Sequence, residues 1–440
     1  MSDVFFIVIY SIRVKILSKE MLTKNLNFRG DRMNIIWGFG GIIVILLIGY
    51  LLSNNKRAIS PRTVFGGLAI QLLFGFIVLE WDVGRMVLEK VTQFVQKIMD
   101  FANAGILFLF GSLGDPTKTT GFVFAFRVLP ILIFLSSVIA VLYYLGIMQW
   151  IVRIIGGALA KLLGTSQSES LSATANIFLG QTEAPLVIRP YMPRLTKSEL
   201  FAVMVGGLAS VSGSTLFGYA ALGVPLKFLL AASVMAAPAG LVMAKLLFPE
   251  TDKPEVHNKH EDDDKDGDKK PANVIDAAAR GAADGLSLAL NVGAMLIAFI
   301  AIIALLNGIV GGIGGLFGYP DLSLQLILGY IFSPLAFVIG VPWTEAITAG
   351  SFIGEKLILN EFVAFTDFAP HMGKLSEKTM AMITFSLCGF ANLSSVAILL
   401  GGLGGMAPTR RSDIAKFGIK SIVAGTLANL LSAAIAGMFV

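Results

Sequence analysis

Eight apolar runs, each near the about 20 residues a helix needs to cross a bilayer, recur at 34–53, 63–81, 122–147, 199–218, 225–248, 286–311, 379–403 and 417–440. Helices satisfy their own backbone groups in lipid, so the runs predict an all-α polytopic membrane protein. Composition agrees. Of 440 residues, 55% are hydrophobic and 14% charged, against about 25% charged in soluble domains. No stretch remains for a soluble domain of useful size.

Several function classes fall away at this stage. The sequence pI of about 9.1 comes from Lys and Arg scattered through short loops, which set membrane orientation rather than form a nucleic-acid surface. Cys388 is the only cysteine, so no disulfide framework, thiolate metal cluster or redox pair is available. His257 and His260 form an H-x-x-H inside an acidic polar loop, where a solvated linker is the simpler reading than a metal site.

Loop charge orients the chain. Basic residues cluster at Lys56, Arg57 and Arg62, at Arg194 and Lys197, and at Arg410, Arg411, Lys416 and Lys420. All three clusters are cytoplasmic only if the first span enters from outside. The stretch from 170 to 196 then enters and leaves on the cytoplasmic side as a re-entrant hairpin. The residues from 312 to 341 lack Lys and Arg and read as an outer segment, and 343–378 reads as a second hairpin from outside.

Both hairpins carry a carboxylate at membrane depth: Gly180-Gln181-Thr182-Glu183-Ala184-Pro185 in the first and Asn360-Glu361-Phe362 in the second. A charge there costs roughly 2.5–3.5 kcal/mol on insertion scales and marks a cavity or pathway. Each tip is followed by an apolar span interrupted by small polar residues, Ala209–Ser214 and Phe390–Ser395, and then by an ordinary span. From Glu183 to Ser212 is 29 residues, and from Glu361 to Asn392 is 31. Like order with opposite entry is an inverted repeat, which places substrate at the midplane between broken helices. The fold expected is eight transmembrane helices plus two opposed re-entrant hairpins and two broken helices.

Residues 1–32 carry six Lys or Arg and an apolar run, Val4–Ile12, too short to span. A basic tail outside breaks the positive-inside rule. Translation is therefore expected to begin at Met33.

Three motifs then identify a family. Gly180-Gln181-Thr182-Glu183-Ala184-Pro185-Leu186, Gly354-x-Lys356-x-x-x-Asn360-Glu361-Phe362-Val363-Ala364 and Phe390-Ala391-Asn392-Leu393-Ser394-Ser395 together resemble the concentrative nucleoside transporters. The resemblance covers residues 33–440. It implies a homotrimer of protomers that each hold a scaffold and a transport domain.

In those terms, 1–32 is a non-native or disordered extension and 33–165 an amino-terminal membrane region, mainly scaffold. Residues 166–248 are the first transport repeat and 249–285 a charged cytoplasmic linker. Residues 286–342 are a scaffold helix and outer segment, and 343–440 the second transport repeat.

The resemblance also implies roles. Gln181, Thr182 and Glu183 read the base, with Thr215 nearby; Glu361, Asn392 and Ser395 hold the ribose; Phe390 packs on the nucleoside. The chemistry is consistent with these roles. An amide donates and accepts, as a base edge requires, whereas an ionised carboxylate only accepts, as ribose hydroxyls require.

An uncharged substrate gains nothing from the membrane potential, so uphill import needs a coupled cation. One charge moved through 100 mV supplies about 2.3 kcal/mol. In sodium-coupled members the ion lies at positions matching the Asn176 and Ser210 side chains or backbone and the Leu179 and Val211 backbone oxygens. Proton coupling is the alternative, with Glu183 as the titrating group. The intact Asn176 and Ser210 favour sodium, and no other cofactor is called for. An intramembrane enzyme is a remote alternative, since no Asp-rich, zinc, Ser/Lys or Ser/His arrangement accompanies the two carboxylates.

Overall fold

The computed structural model describes residues 33–115, 122–254 and 271–440. The expected amino-terminal extension and the linker residues 255–270, with His257 and His260, lie outside the described residues.

All regular structure among the described residues is helical. The amino-terminal region holds α1 (Met33–Leu51), α2 (Pro61–Gly75) with a π-helical turn to Glu80, α3 (Asp82–Phe110), the short α4 (Phe124–Arg127), α5 (Leu129–Tyr144) and α6 (Ile147–Leu163). The first hairpin is α7 (Gln167–Ala175) and a 3-10 stretch (Ala184–Arg194), followed by α8 (Lys197–Ala209), α9 (Gly213–Ala221) and α10 (Leu226–Leu247). The second half holds α11 (Val274–Leu316), α12 (Leu324–Ile339), the hairpin arms α13 (Trp343–Ile358) and α14 (Glu361–Phe368), then α15 (Glu377–Leu387), α16 (Leu393–Met406) and α17 (Arg411–Phe439). The order of hairpin, broken helix and final helix repeats, as expected.

Among the described residues eight helices are long and apolar enough to cross a membrane. Their number is the expected one, but one member differs. The run 379–403 is split at Cys388–Asn392 into α15 and α16, of 11 and 14 residues, too short to count as one span. The eighth is Asp82–Gly114, the least apolar of the set. Glu89, Lys90, Gln93, Gln96, Lys97 and Asp100 interrupt it, so it has no continuous apolar run to read.

Two further differences concern the second half. α11 begins at Val274, inside the stretch assigned to the linker, and continues to Leu316. The expected outer segment contains an apolar helix, α12, bent by 116° against α13. A missing Lys or Arg shows which side a segment faces, not whether it is helical.

Burial separates an inner group of helices from an outer one. In α8–α9, α10 and α17, 83% of the most apolar stretch is buried within the chain, against 17% in α3 and 22% in α5 and α11. The inner helices are rich in Gly, Ala and Ser, which lets backbones approach closely in lipid. Gly425 of α17, for example, faces Leu208 of α8 and Ala391 of the second break, where an added Cβ would sit 3.0 and 3.2 Å from their Cβ atoms.

Candidate functional site

Each helix that begins inside the apolar layer starts on a polar cap, and those caps converge. Ser212 caps α9 by accepting from the Thr215 amide at 3.2 Å. Asn360 caps α14 by accepting from Val363 at 2.8 Å, and Asn392 caps α16 by accepting from Ser395 at 3.0 Å. A helix start leaves backbone N–H groups unpaired, and Ser or Asn satisfies them locally. The interruptions that read as breaks in the sequence are therefore ordered helix starts.

The two breaks touch. The Phe390 amide donates to the Ser210 carbonyl at 3.2 Å. Beside it, a Cβ on Gly389 would lie 2.9 Å from the Ala209 carbonyl oxygen and would overlap the Asn429 amide. Only glycine fits where the two backbones pass.

Four of the residues expected to bind substrate come together around this crossing. The Gln181 Nε2 group donates to Ser395 Oγ at 3.5 Å, joining the first hairpin to α16. Ser395 Oγ donates to Asn392 Oδ1 at 3.0 Å, and Asn392 Nδ2 donates to Glu361 Oε2 at 2.9 Å, joining α16 to the second hairpin. Gln181, Asn392, Ser395 and Glu361 are all buried, and Gln181 Oε1 has no hydrogen-bond partner. A buried acceptor without a partner is costly unless something fills it.

The other expected residues sit around this group. Thr215 lies on the first turn of α9, where its hydroxyl donates to the Ser212 carbonyl at 2.9 Å. Phe390 is partly buried at the edge of the core. Thr182 packs against α16 at Gly402, where a Cβ would crowd its methyl group. Glu183 is exposed and accepts from the Thr182 hydroxyl at 2.9 Å. Thr182 and Glu183 thus form the rim of the tip, and no hydrogen bond between them and the Gln181–Glu361 group is present.

Tyr219, which was not foreseen, contacts this group. Its hydroxyl donates to Glu361 Oε1 at 3.3 Å, while its ring stacks on Phe365 at 4.2 Å. It lies four residues after Thr215 on α9, so it shares a helix face with a residue already singled out. That spacing was a usable signal.

The residues expected at the cation site lie on two segments that a backbone bond joins, the first hairpin and the first break. Phe178 and Gly213 join the first hairpin to the first break by a backbone bond of 3.0 Å. Asn176 spends one amide hydrogen on the Ser172 carbonyl at 2.9 Å, leaving Oδ1 buried without a partner. Ser210 Oγ donates to the Gly206 carbonyl at 2.8 Å, so its oxygen lone pairs stay free. Leu179 lies in the hairpin turn and Val211 in the break, both outside regular helix. Neutral hard oxygens beside an unfilled acceptor suit a small monovalent cation.

Comparisons with known proteins place the chain in a family. Residues 40–113 and 228–437 match the family models for the N- and C-termini of Na+ dependent nucleoside transporters, and 125–226 match a nucleoside recognition (Gate) model. The chain is 58% identical over 412 residues to the uncharacterized transporter YutK of Bacillus subtilis, covering 93% of this chain and 100% of that one. It is 48% identical over 409 residues to the nucleoside permease NupC of Helicobacter pylori, covering 91% and 96%. The structure of CNTnw in an inward-facing substrate-bound state aligns with a TM-score of 0.88 at 53% identity, over 92% of this chain and 98% of that one.

The chain belongs to the Na+ dependent nucleoside transporter family, the concentrative nucleoside transporters. It is a multi-span transporter of the cell membrane and not an enzyme.

Proposed function

We propose that this protein imports nucleosides across the cytoplasmic membrane by symport with sodium. The observation that carries the reading is the buried polar chain from Gln181 through Ser395 and Asn392 to Glu361, with Gln181 Oε1 left unpartnered. It spans both hairpins and the second broken helix, and it offers what a nucleoside needs at each end. The Gln181 end, with Thr182, Glu183 and Thr215 around it, reads the base. Glu361, Asn392 and Ser395 hold the ribose hydroxyls, and Phe390 lies against the nucleoside.

Sodium binds between the first hairpin and the first broken helix, held by Asn176, Ser210 and the backbone oxygens of Leu179 and Val211. The unpaired Asn176 Oδ1 favours sodium over a proton. Glu183, the candidate proton carrier, is exposed at the rim. Bound sodium supplies a charge that the membrane potential drives inward, about 2.3 kcal/mol per 100 mV.

The two hairpins and the inner helices act as the moving unit against the outer helices. Three copies assemble through outward apolar faces such as those of α3 and α11, which are little buried within one chain. The nucleoside permease NupC and the nucleoside transporter family models support the substrate class.

Titration of the purified protein with uridine in sodium buffer tests the site. Binding is expected in the wild type and lost in Glu361→Gln. Equal binding by both would remove Glu361 from the site.

A further inference from the structure

Behind the helix crossing lie a buried lysine and amide that make no hydrogen bond to the Gln181–Glu361 group, although the lysine charge attracts the Glu361 carboxylate. Lys356 of α13 and Asn429 of α17 are each 2% exposed. Lys356 Nζ donates to the Ser386 carbonyl at 2.7 Å and to Asn429 Oδ1 at 2.6 Å. Asn429 Nδ2 in turn donates to the Ala209 carbonyl at 2.6 Å and the Cys388 carbonyl at 3.0 Å. Both amide hydrogens and the amide oxygen are thus committed.

These partners come from both repeats. Ala209 is the last residue of α8 and Cys388 the first beyond α15, so one side chain holds the carbonyl ends of two half-helices. Among the described residues no ion pair includes Lys356. Its charge faces the carbonyl end of α15, the negative end of that helix.

The position matters more than the packing. Ala209 directly precedes Ser210, which carries the cation, and Ser210 accepts from Phe390. Cys388 lies four residues before Asn392, which donates to Glu361. Lys356 lies five residues before Glu361 on the second hairpin. Asn429 therefore stands between the loop that holds the cation and the loop that holds the nucleoside, and Lys356 fixes it there.

We propose that Asn429, held by Lys356, is the positioning residue that couples cation binding to nucleoside binding. The proposal rests on the sodium reading of the first break. Coupling between two sites requires an element whose arrangement both ligands bias. Sodium at Asn176, Ser210 and Val211 fixes the first break. Through the Ala209 carbonyl it fixes Asn429, and through Cys388 and Phe390 it sets the second break, which presents Asn392 to the nucleoside.

The test is the ratio of uridine affinity in sodium to that in choline, at equal pH and ionic strength, on purified protein. The wild type is expected to show a ratio of roughly 5 to 150, the usual range of such coupling. Asn429→Ser brings the ratio to within about twofold of one, the limit of uncoupled sites, while sodium alone still shifts the melting temperature as in the wild type. Lys356→Met, which keeps the amide but releases it, also lowers the ratio; because it removes a charge that attracts Glu361 as well, it carries the test through the ratio and not the absolute affinity if Asn429→Ser does not fold. A wild-type ratio of one overturns the sodium reading itself. A normal wild-type ratio that persists in the folded variants, even with weaker affinity throughout, makes Asn429 a packing residue and overturns the proposal.

Discussion

Asn392 donates its side-chain amide to Glu361 at 2.9 Å, and so binds the start of α16 to the tip of the second hairpin. The same asparagine caps its own helix through Oδ1. One side chain thus sets where the helix starts and which way the carboxylate points. Glu361→Gln and Asn392→Ala should each abolish nucleoside uptake in proteoliposomes while the protein still purifies folded. Leaving the buried partner unpaired costs about 1–3 kcal/mol. Unchanged uptake in either variant would contradict the assignment.

Tyr219 offers a milder test. Tyr219→Phe removes the hydroxyl that donates to Glu361 but keeps the ring stacked on Phe365. Losing one such bond costs about 1 kcal/mol, so uridine affinity should fall roughly fivefold with little change in melting temperature. A large loss of stability with normal affinity would make Tyr219 a core residue only.

At the proposed cation site, Asn176→Leu replaces the unpartnered buried oxygen with a methyl group. The sodium concentration for half-maximal uptake should rise at least tenfold, about 1.4 kcal/mol, and uridine binding in choline should be unaltered. Sodium activation like that of the wild type would exclude Asn176 as a ligand.

The base of the first hairpin is held by a buried ion pair. Lys245 Nζ lies 2.7 Å from Glu169 Oε2, with both side chains almost fully buried, and also donates to Ser198 at 2.9 Å. Lys245→Met strands the Glu169 carboxylate and should destabilise by about 3–5 kcal/mol, read as a lowered melting temperature. Adding Glu169→Gln should recover part of the loss. No recovery in the double variant would mean that Lys245 acts through packing alone.

Much of this architecture is legible in the sequence because lipid makes polar residues conspicuous. Glu183, Glu361, Ser210 and Asn392 stand out against apolar neighbours, and the hairpins and breaks they mark are present in the fold. Periodicity hid other parts. α3 carries charges along its length, so no apolar run marks it, and α12, at 16 residues, is shorter than a full span and lies in a stretch whose missing charge marks a side and not a helix.

Tyr219 and Asn429 were missed for a different reason. A polar residue in an apolar helix shows a face but not its partners: Tyr219 shares a face with Thr215, yet Glu361 lies 142 residues on, and the partners of Asn429 lie 220, 73 and 41 residues away in the chain. Only the crossing of the two breaks brings them together. Glu183 shows the converse: its sequence setting suggests a buried charge, but the turn carries it to the exposed rim.

The most direct measurement is accumulation of labelled uridine by proteoliposomes holding the purified protein, with an inward sodium gradient or with choline in its place at fixed pH. Uridine should rise above the external concentration with sodium and only equilibrate with choline. Equal accumulation under both conditions, or none above the external level with sodium, would contradict sodium-coupled nucleoside import.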